Sequence, residues 1–126
     1  MKTFALPKSE RISGRSALLN LLEKGKGGTA GCLRFKVVFR EASGNGSADD
    51  VSRIMVSVPK KQFKRAVKRN LLKRRMREAY RLQKIVAPCD ILFVYISREV
   101  LPYETIYNDM SAALARIAAL RDEQNA

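Results

Sequence analysis

Hydrophobic and polar positions repeat along the chain with two periods, and each period assigns an element type. Leu18, Leu19, Leu21 and Leu22 give a broad apolar face to a helix predicted over residues 14–23, with Ser13 as its N-cap and Gly25 as its stop. Residues 25–31, GKGGTAG, have no period and read as a flexible loop; without a GK[ST] ending and a preceding strand they are no phosphate-binding P-loop. Residues 32–40 alternate as a strand, with Phe35, Val37 and Phe39 on one face and Arg34, Lys36, Val38 and Arg40 on the other. The acidic, Gly- and Ser-rich residues 41–50 read as a mobile hairpin turn into a second strand over 53–58, which Pro59 ends. DILFVYIS at 90–97 is nearly continuous in apolar residues, the mark of a central strand covered on both faces. Pro102 opens a last helix over about 103–121, with Ile106, Met110, Ala113, Leu114, Ile117 and Leu120 on one side. Residues 1–12 read as an extended lead-in and 122–126 as a frayed tail. At 126 residues and 46% hydrophobic, the chain suffices for one core and one domain.

Between the second strand and the apolar run lies the segment that sets the chain's character. At about 100° per residue, residues 64–86 form one amphipathic helix. Val67, Leu71, Leu72, Met76, Ala79, Leu82 and Val86 fall within one half-turn, and Arg69, Asn70, Lys73, Arg74, Arg77, Arg81 and Lys84 occupy the opposite arc. Lys68 and Arg75 project from the apolar arc, where aliphatic stems can lie over the core and release their charges at its edge. Residues 60–84 hold twelve of the 25 Lys and Arg residues and one acid, Glu78, so they carry about +11 of the formal +13; the rest of the chain is near balance. A merely solvated helix face interleaves acids at i±4, and here only Glu78 can relieve Arg74 or Arg81. A membrane-surface helix would place bulky apolar groups beside the basic face. The remaining reading is a face that binds a polyanion. Nucleic acid fits best, because the amide of Asn70 can bond a base edge or a sugar hydroxyl.

The chain has no His, no Ser-His or Cys-His pairing and no paired acids, so hydrolysis by the protein alone is not expected. Cys32 and Cys89, far apart and outside any CxxC, are expected as two buried thiols. No apolar run approaches the ~18–20 residues of a spanning helix. The N-terminal residues lack the pattern of a secretory signal, so a cytoplasmic location is expected.

The run AVKRNLLKRRMREAYR, residues 66–81, resembles the RNR signature of the bacterial ribonuclease P protein component, with Ala66-Val67, Arg69-Asn70, Lys73-Arg74 and Arg77-Glu78 at its steps. SVPKK at 57–61 resembles the Ser-Val-x-Lys-Lys that ends the strand before that helix. Met55 stands where the family often has Gly, and Gln-Phe-Lys-Arg between Lys61 and Ala66 is a residue longer than the commonest form and without its Gly, so the turn into the helix must be built differently.

The resemblance implies an α/β (α+β) sandwich on a single sheet, in the order helix, β-hairpin, long basic helix, strand, helix. It also implies a left-handed crossover, where pattern alone predicts a right-handed one. The activity it implies is endonucleolytic removal of the 5′ leader of precursor tRNA, performed by the RNA subunit with Mg²⁺ held mainly by RNA and no catalytic or metal-binding residue in the protein. The implied partners are ribonuclease P RNA and precursor tRNA, with no membrane and no obligate protein partner. On the matched positions Arg69, Asn70, Lys73, Arg74 and Arg77 would meet the catalytic RNA or the metal-rich region near the cleavage site, joined by Lys64, Arg65, Lys68 and Arg81, while Lys60, Lys61 and the first strand would lie along the leader. The leader cleft would take Leu18 and Leu22, at positions where the family shows aromatics, together with Phe35, Lys36 and Phe39. Leucine has no π face, so stacking worth ~1–3 kcal/mol per base is absent at those two points. Core burial explains Phe35 and Phe39 equally well, and Arg34 and Lys36 would touch RNA backbone if their face of the strand lines the cleft. A ribosomal or general RNA-binding protein is the alternative reading. A DNA-binding helix-turn-helix wants a second helix beside the basic one, where strands are expected instead.

Overall fold

The computed structural model describes residues 14–40, 52–83 and 88–125. The expected lead-in, the acidic turn and the last residues of the basic segment lie outside the described residues. Among the described residues seven elements follow one another: α1 (Arg15–Lys24), β1 (Lys26–Ala30), β2 (Leu33–Phe39), β3 (Arg53–Ser57), α2 (Ala66–Arg81), β4 (Cys89–Tyr95) and α3 (Tyr103–Asn125). The four strands form one sheet in the order β1-β2-β4-β3. The apolar run is the central strand expected of it, antiparallel to β2 and parallel to β3.

Two expectations about the strands are corrected. The glycine-rich segment is not a loop but β1, which pairs antiparallel with β2 from Lys26 opposite Val37 to Ala30 opposite Leu33. Its glycines serve packing that carries no periodic signal, since a Cβ at Gly28 would meet the ring of Phe35. The hairpin of the fold is therefore β1–β2, turning at Gly31, which adopts φ 56°. A Cβ there would also run into the carboxylate of Asp109, whose Oδ2 accepts from the Cys32 backbone N–H at 2.9 Å. The second correction is that β2 and β3 are not partners, because β4 lies between them.

Side-chain alternation divides the sheet into two packed faces. Leu33, Phe35 and Val37, Ile54 and Val56, and Ile91, Phe93 and Tyr95 face α2 and α3 and form the main core with Leu72, Met76, Ala79, Tyr80, Ile106, Met110, Ala113 and Ile117. On the other face a smaller cluster joins Leu21 of α1 to Leu92, flanked by Ala17, Leu18, Val38, Met55 and Val94. The helix α3 buries the side expected of it, but it runs to Asn125, so residues 122–125 are helical rather than a frayed tail.

The β3–α2–β4 connection is left-handed. In an L-peptide strand running upward, a residue whose side chain points at the viewer turns its N–H and C=O to the right, and its neighbours turn theirs to the left. Ile96 points away from α2, since Tyr95 before it packs into the α2 side, and its N–H bonds to the Cys32 carbonyl at the start of β2. Seen from α2 with β4 upward, β2 lies to the left and β3 to the right, so the chain crosses leftward in front of the sheet. About 98% of such connections have the opposite hand.

The two cysteines stand at opposite ends of β2, because Cys89 pairs with Phe39 while Cys32 precedes Leu33. At about 3.3 Å per residue they are far beyond disulfide reach. Both are buried and free. Burial pushes the Cys89 thiol up to about 12. Burial does the same to Cys32, up to about 12, and the Asp109 carboxylate beside it adds to the rise. Alkylation of either thiol at pH 8 should therefore be slow in the native protein and rapid in denaturant, since the thiolate is the nucleophile. Mass spectrometry of a timed iodoacetamide reaction checks this, and fast native labelling would contradict the burial.

Candidate nucleic-acid interface

The helix that carries the cations begins without help from its own sequence. Arg65 is the N-cap and makes no side-chain cap hydrogen bond, and the first turn holds no acid. Exposed Lys64, Arg65 and Lys68 surround that positive end of the helix dipole, an unfavourable arrangement for an isolated helix. The turn before it is built on Phe63, buried against the ring of Tyr95 at a centroid distance of 5.9 Å. The backbone N–H groups of Gln62 and Phe63 both donate to the Pro59 carbonyl, and Gln62 Nε2 donates to the Ser97 carbonyl at 2.9 Å. An anchored phenylalanine thus does the work expected of the family's glycine.

The helix spans Ala66–Arg81, shorter than expected, and its buried face is turned from the predicted arc. Leu72, Met76, Ala79 and Tyr80 are buried, while Val67 and Leu82, expected to pack, are 78% and 53% exposed. Tyr80 causes the rotation. Its ring lies at 6.1 Å from that of Phe93, and its hydroxyl is hydrogen-bonded to Ser52 Oγ. Val67, Asn70 and Arg74 therefore lie along the outward line of the helix.

The basic residues divide by what their charges touch. Lys60, Lys61, Lys64, Arg65, Lys68 and Arg74 are exposed and form no ion pair among the described residues. Lys73 and Arg77 are half-buried at the edge of the outward face. Arg81 is held by Glu78 through two hydrogen bonds of 2.8 Å. The hydrogen bond from Arg81 holds the Glu78 carboxyl below its ordinary range. A depressed carboxyl stabilises the fold above its ordinary range and loses that contribution as pH falls through the depressed value, so this small surface term is intact at neutral pH. Arg69 also braces the fold: its Nη1 donates to the carbonyls of Phe63 at 2.7 Å and Lys64 at 2.9 Å, closing the turn. Arg75 does the same across to the segment before α3 through the Leu101 carbonyl at 2.6 Å. Sequence periodicity marks these arginines as cations but is silent on backbone carbonyls as their partners.

The candidate cleft residues do not come together as one surface. Phe35 is 1% exposed in the core, and Phe39 packs against the same core, on the face of the sheet opposite α1. Both are corrected from cleft to core. Leu18 and Lys36 lie on the α1 side, where Lys36 Nζ caps the helix by donating to the Leu22 carbonyl at 2.9 Å. Leu22 is 44% exposed. Half-buried Val38, Met55 and Val94 line the sheet beside α1, positions that strand parity alone identifies as sharing a face with Arg34 and Lys36. At one end of that face Asp90 accepts from Arg53 Nε at 2.9 Å and Arg40 Nε at 3.2 Å.

The four strands and three helices described make an α+β domain with a left-handed crossover and a cationic helix face turned outward. The sequence profile of ribonuclease P matches residues 6–118. The chain is 39% identical over 125 residues to a ribonuclease P protein component of Porphyromonas gingivalis, covering 92% of this chain and 88% of that protein. A ribonuclease P protein component of Chlorobaculum tepidum is 39% identical over 87 residues, with 66% of this chain and 53% of that protein covered. Among solved structures, the Thermotoga maritima RNase P protein superposes with a TM-score of 0.70 at 25% identity, over 85% of this chain and 96% of that one. The Staphylococcus aureus RNase P protein shares the fold, with a TM-score of 0.71 at 24% identity, over 88% of this chain and 96% of that one. The chain belongs to the ribonuclease P protein family, and that membership implies an RNA partner.

Proposed function

We propose that the chain binds the catalytic RNA of ribonuclease P and the 5′ leader of precursor tRNA, and so assists Mg²⁺-dependent release of mature tRNA 5′ ends in the cytoplasm. The observation that supports this best is the set of exposed cations Lys60, Lys61, Lys64, Arg65, Lys68 and Arg74, which form no ion pair among the described residues and crowd an uncapped helix end, and whose mutual repulsion a docked RNA backbone offsets. Asn70, exposed among them, adds a group able to bond a 2′-hydroxyl or base edge. Leader RNA would pass over the α1 side of the sheet, with Leu18, Val38, Met55 and Val94 offering dispersion contact and Arg34 a charge.

Among the described residues no three acids cluster where they could hold Mg²⁺ together. Asp90 is engaged by Arg40 and Arg53, Glu78 by Arg81, and Asp109 by the Cys32 N–H. In this proposal the ion sits on RNA oxygens, and the protein's part is affinity and alignment. Mixing the protein with a bacterial ribonuclease P RNA and a precursor tRNA at low Mg²⁺ should give 5′ processing well above that of the RNA alone. Cleavage no faster than with RNA alone would overturn the proposal.

A further inference from the structure

We infer that Val67 is an apolar contact to the RNA subunit, seated against the ribose and base edges between the phosphates that Lys68 and Arg74 hold; this rests on the RNA-binding reading above. Val67 is 78% exposed, the most exposed of the large hydrophobic residues described. Folding does not account for it. The core face of α2 passes through Leu72, Met76, Ala79 and Tyr80 and leaves Val67 on the far side. Helix propensity does not account for it either, since a β-branched residue is poorer than alanine in an exposed helical position.

The surroundings select the occupant. Arg74 lies two turns along the same line, Asn70 and half-buried Leu71 flank Val67 one turn on, and exposed Lys64, Arg65 and Lys68 enclose it. A patch ringed by like charges repels a second copy of the same face and any basic protein. The wide, shallow minor groove of A-form RNA, or an unpaired nucleotide, instead presents apolar sugar and base surface flanked by phosphates. On such a surface Val67 excludes water, the neighbouring cations meet phosphate, and the Asn70 amide can reach a 2′-hydroxyl. The consequence is a part of the affinity that salt does not screen.

Val67→Ala and Val67→Lys test this with a bacterial ribonuclease P RNA transcript, titrated at several salt concentrations beside the wild-type protein. Neither variant should lower the thermal midpoint, because the side chain touches little of the fold and alanine and lysine are the better helix formers. Val67→Ala should weaken binding about tenfold, the scale of two methyl groups returned to water, with the slope of log K against log salt unchanged. Val67→Lys should weaken it too, despite its added charge. Wild-type affinity for Val67→Ala, or tighter binding with a steeper slope for Val67→Lys, would show Val67 to be merely solvated and overturn the inference. So would a change in self-association without a change in RNA affinity, which would assign the contact to a second copy. If the wild-type protein itself showed no salt-dependent binding, the function proposed above would fail and this inference with it; failure of the variants alone leaves that function standing.

Discussion

Phe93→Ala should remove a large part of the protein's folding stability. The side chain is 0% exposed on the central strand, opposite Phe35 on one side and Val56 on the other, with the ring of Tyr80 at 6.1 Å above it. These three neighbours are themselves buried in the core, so the cavity does not collapse cheaply. Truncations of this kind cost about 3–5 kcal/mol, set against the roughly 5–15 kcal/mol of a whole domain. For a chain of this size that corresponds to a drop in thermal midpoint on the order of 15 °C. Calorimetry or circular dichroism checks it, and a midpoint within a few degrees of wild type would contradict the packing described.

The second large effect concerns RNA rather than stability. Lys64→Ala, Lys68→Ala and Arg74→Ala combined should leave the fold intact, because all three side chains are exposed and unpaired among the described residues. At about 1 kcal/mol per lost charge-assisted contact, affinity for ribonuclease P RNA should fall roughly a hundredfold. Each phosphate contact contributes about 0.7–0.9 to the salt slope, so three lost contacts should flatten it by about 2 to 3. Filter binding across a salt series measures both quantities. Arg69 is left out of the set by design, since its bonds to Phe63 and Lys64 would mix a folding defect with a binding one.

How much of this was legible in the sequence depends on whether a residue's partner is local. The central strand announces itself because burial on both faces leaves no polar alternation in DILFVYIS, and α3 because Ile106, Met110, Ala113 and Ile117 repeat at the helical period. The strand β1 does not announce itself, since its three inner residues, Gly27, Gly28 and Thr29, show no apolar alternation and its inward side is filled by a ring from β2. The false pairing of β2 with β3 has the same origin: a turn signal is local, whereas the insertion of β4 between them is decided by residues far along the chain.

The cations were legible as a class and not as individuals. Composition and spacing predict a polyanion-binding face on the basic helix, and Lys64, Arg65, Lys68, Asn70 and Arg74 are exposed at its start and along it. That Lys36, Arg69 and Arg75 bond to backbone carbonyls is beyond any pattern of side chains. Tyr80 shows how one residue misassigned to neither face shifts the whole arc: once its ring is counted as core, Val67 moves from packing to solvent.

The central claim is that RNA phosphates offset the crowding of like charges along residues 60–77. Its most direct test is the affinity of the wild-type protein for ribonuclease P RNA between 50 and 200 mM salt. Neutralisation of six to ten phosphates predicts a fall of about 10³–10⁵ over that range. An affinity that stays level as salt rises would contradict the account.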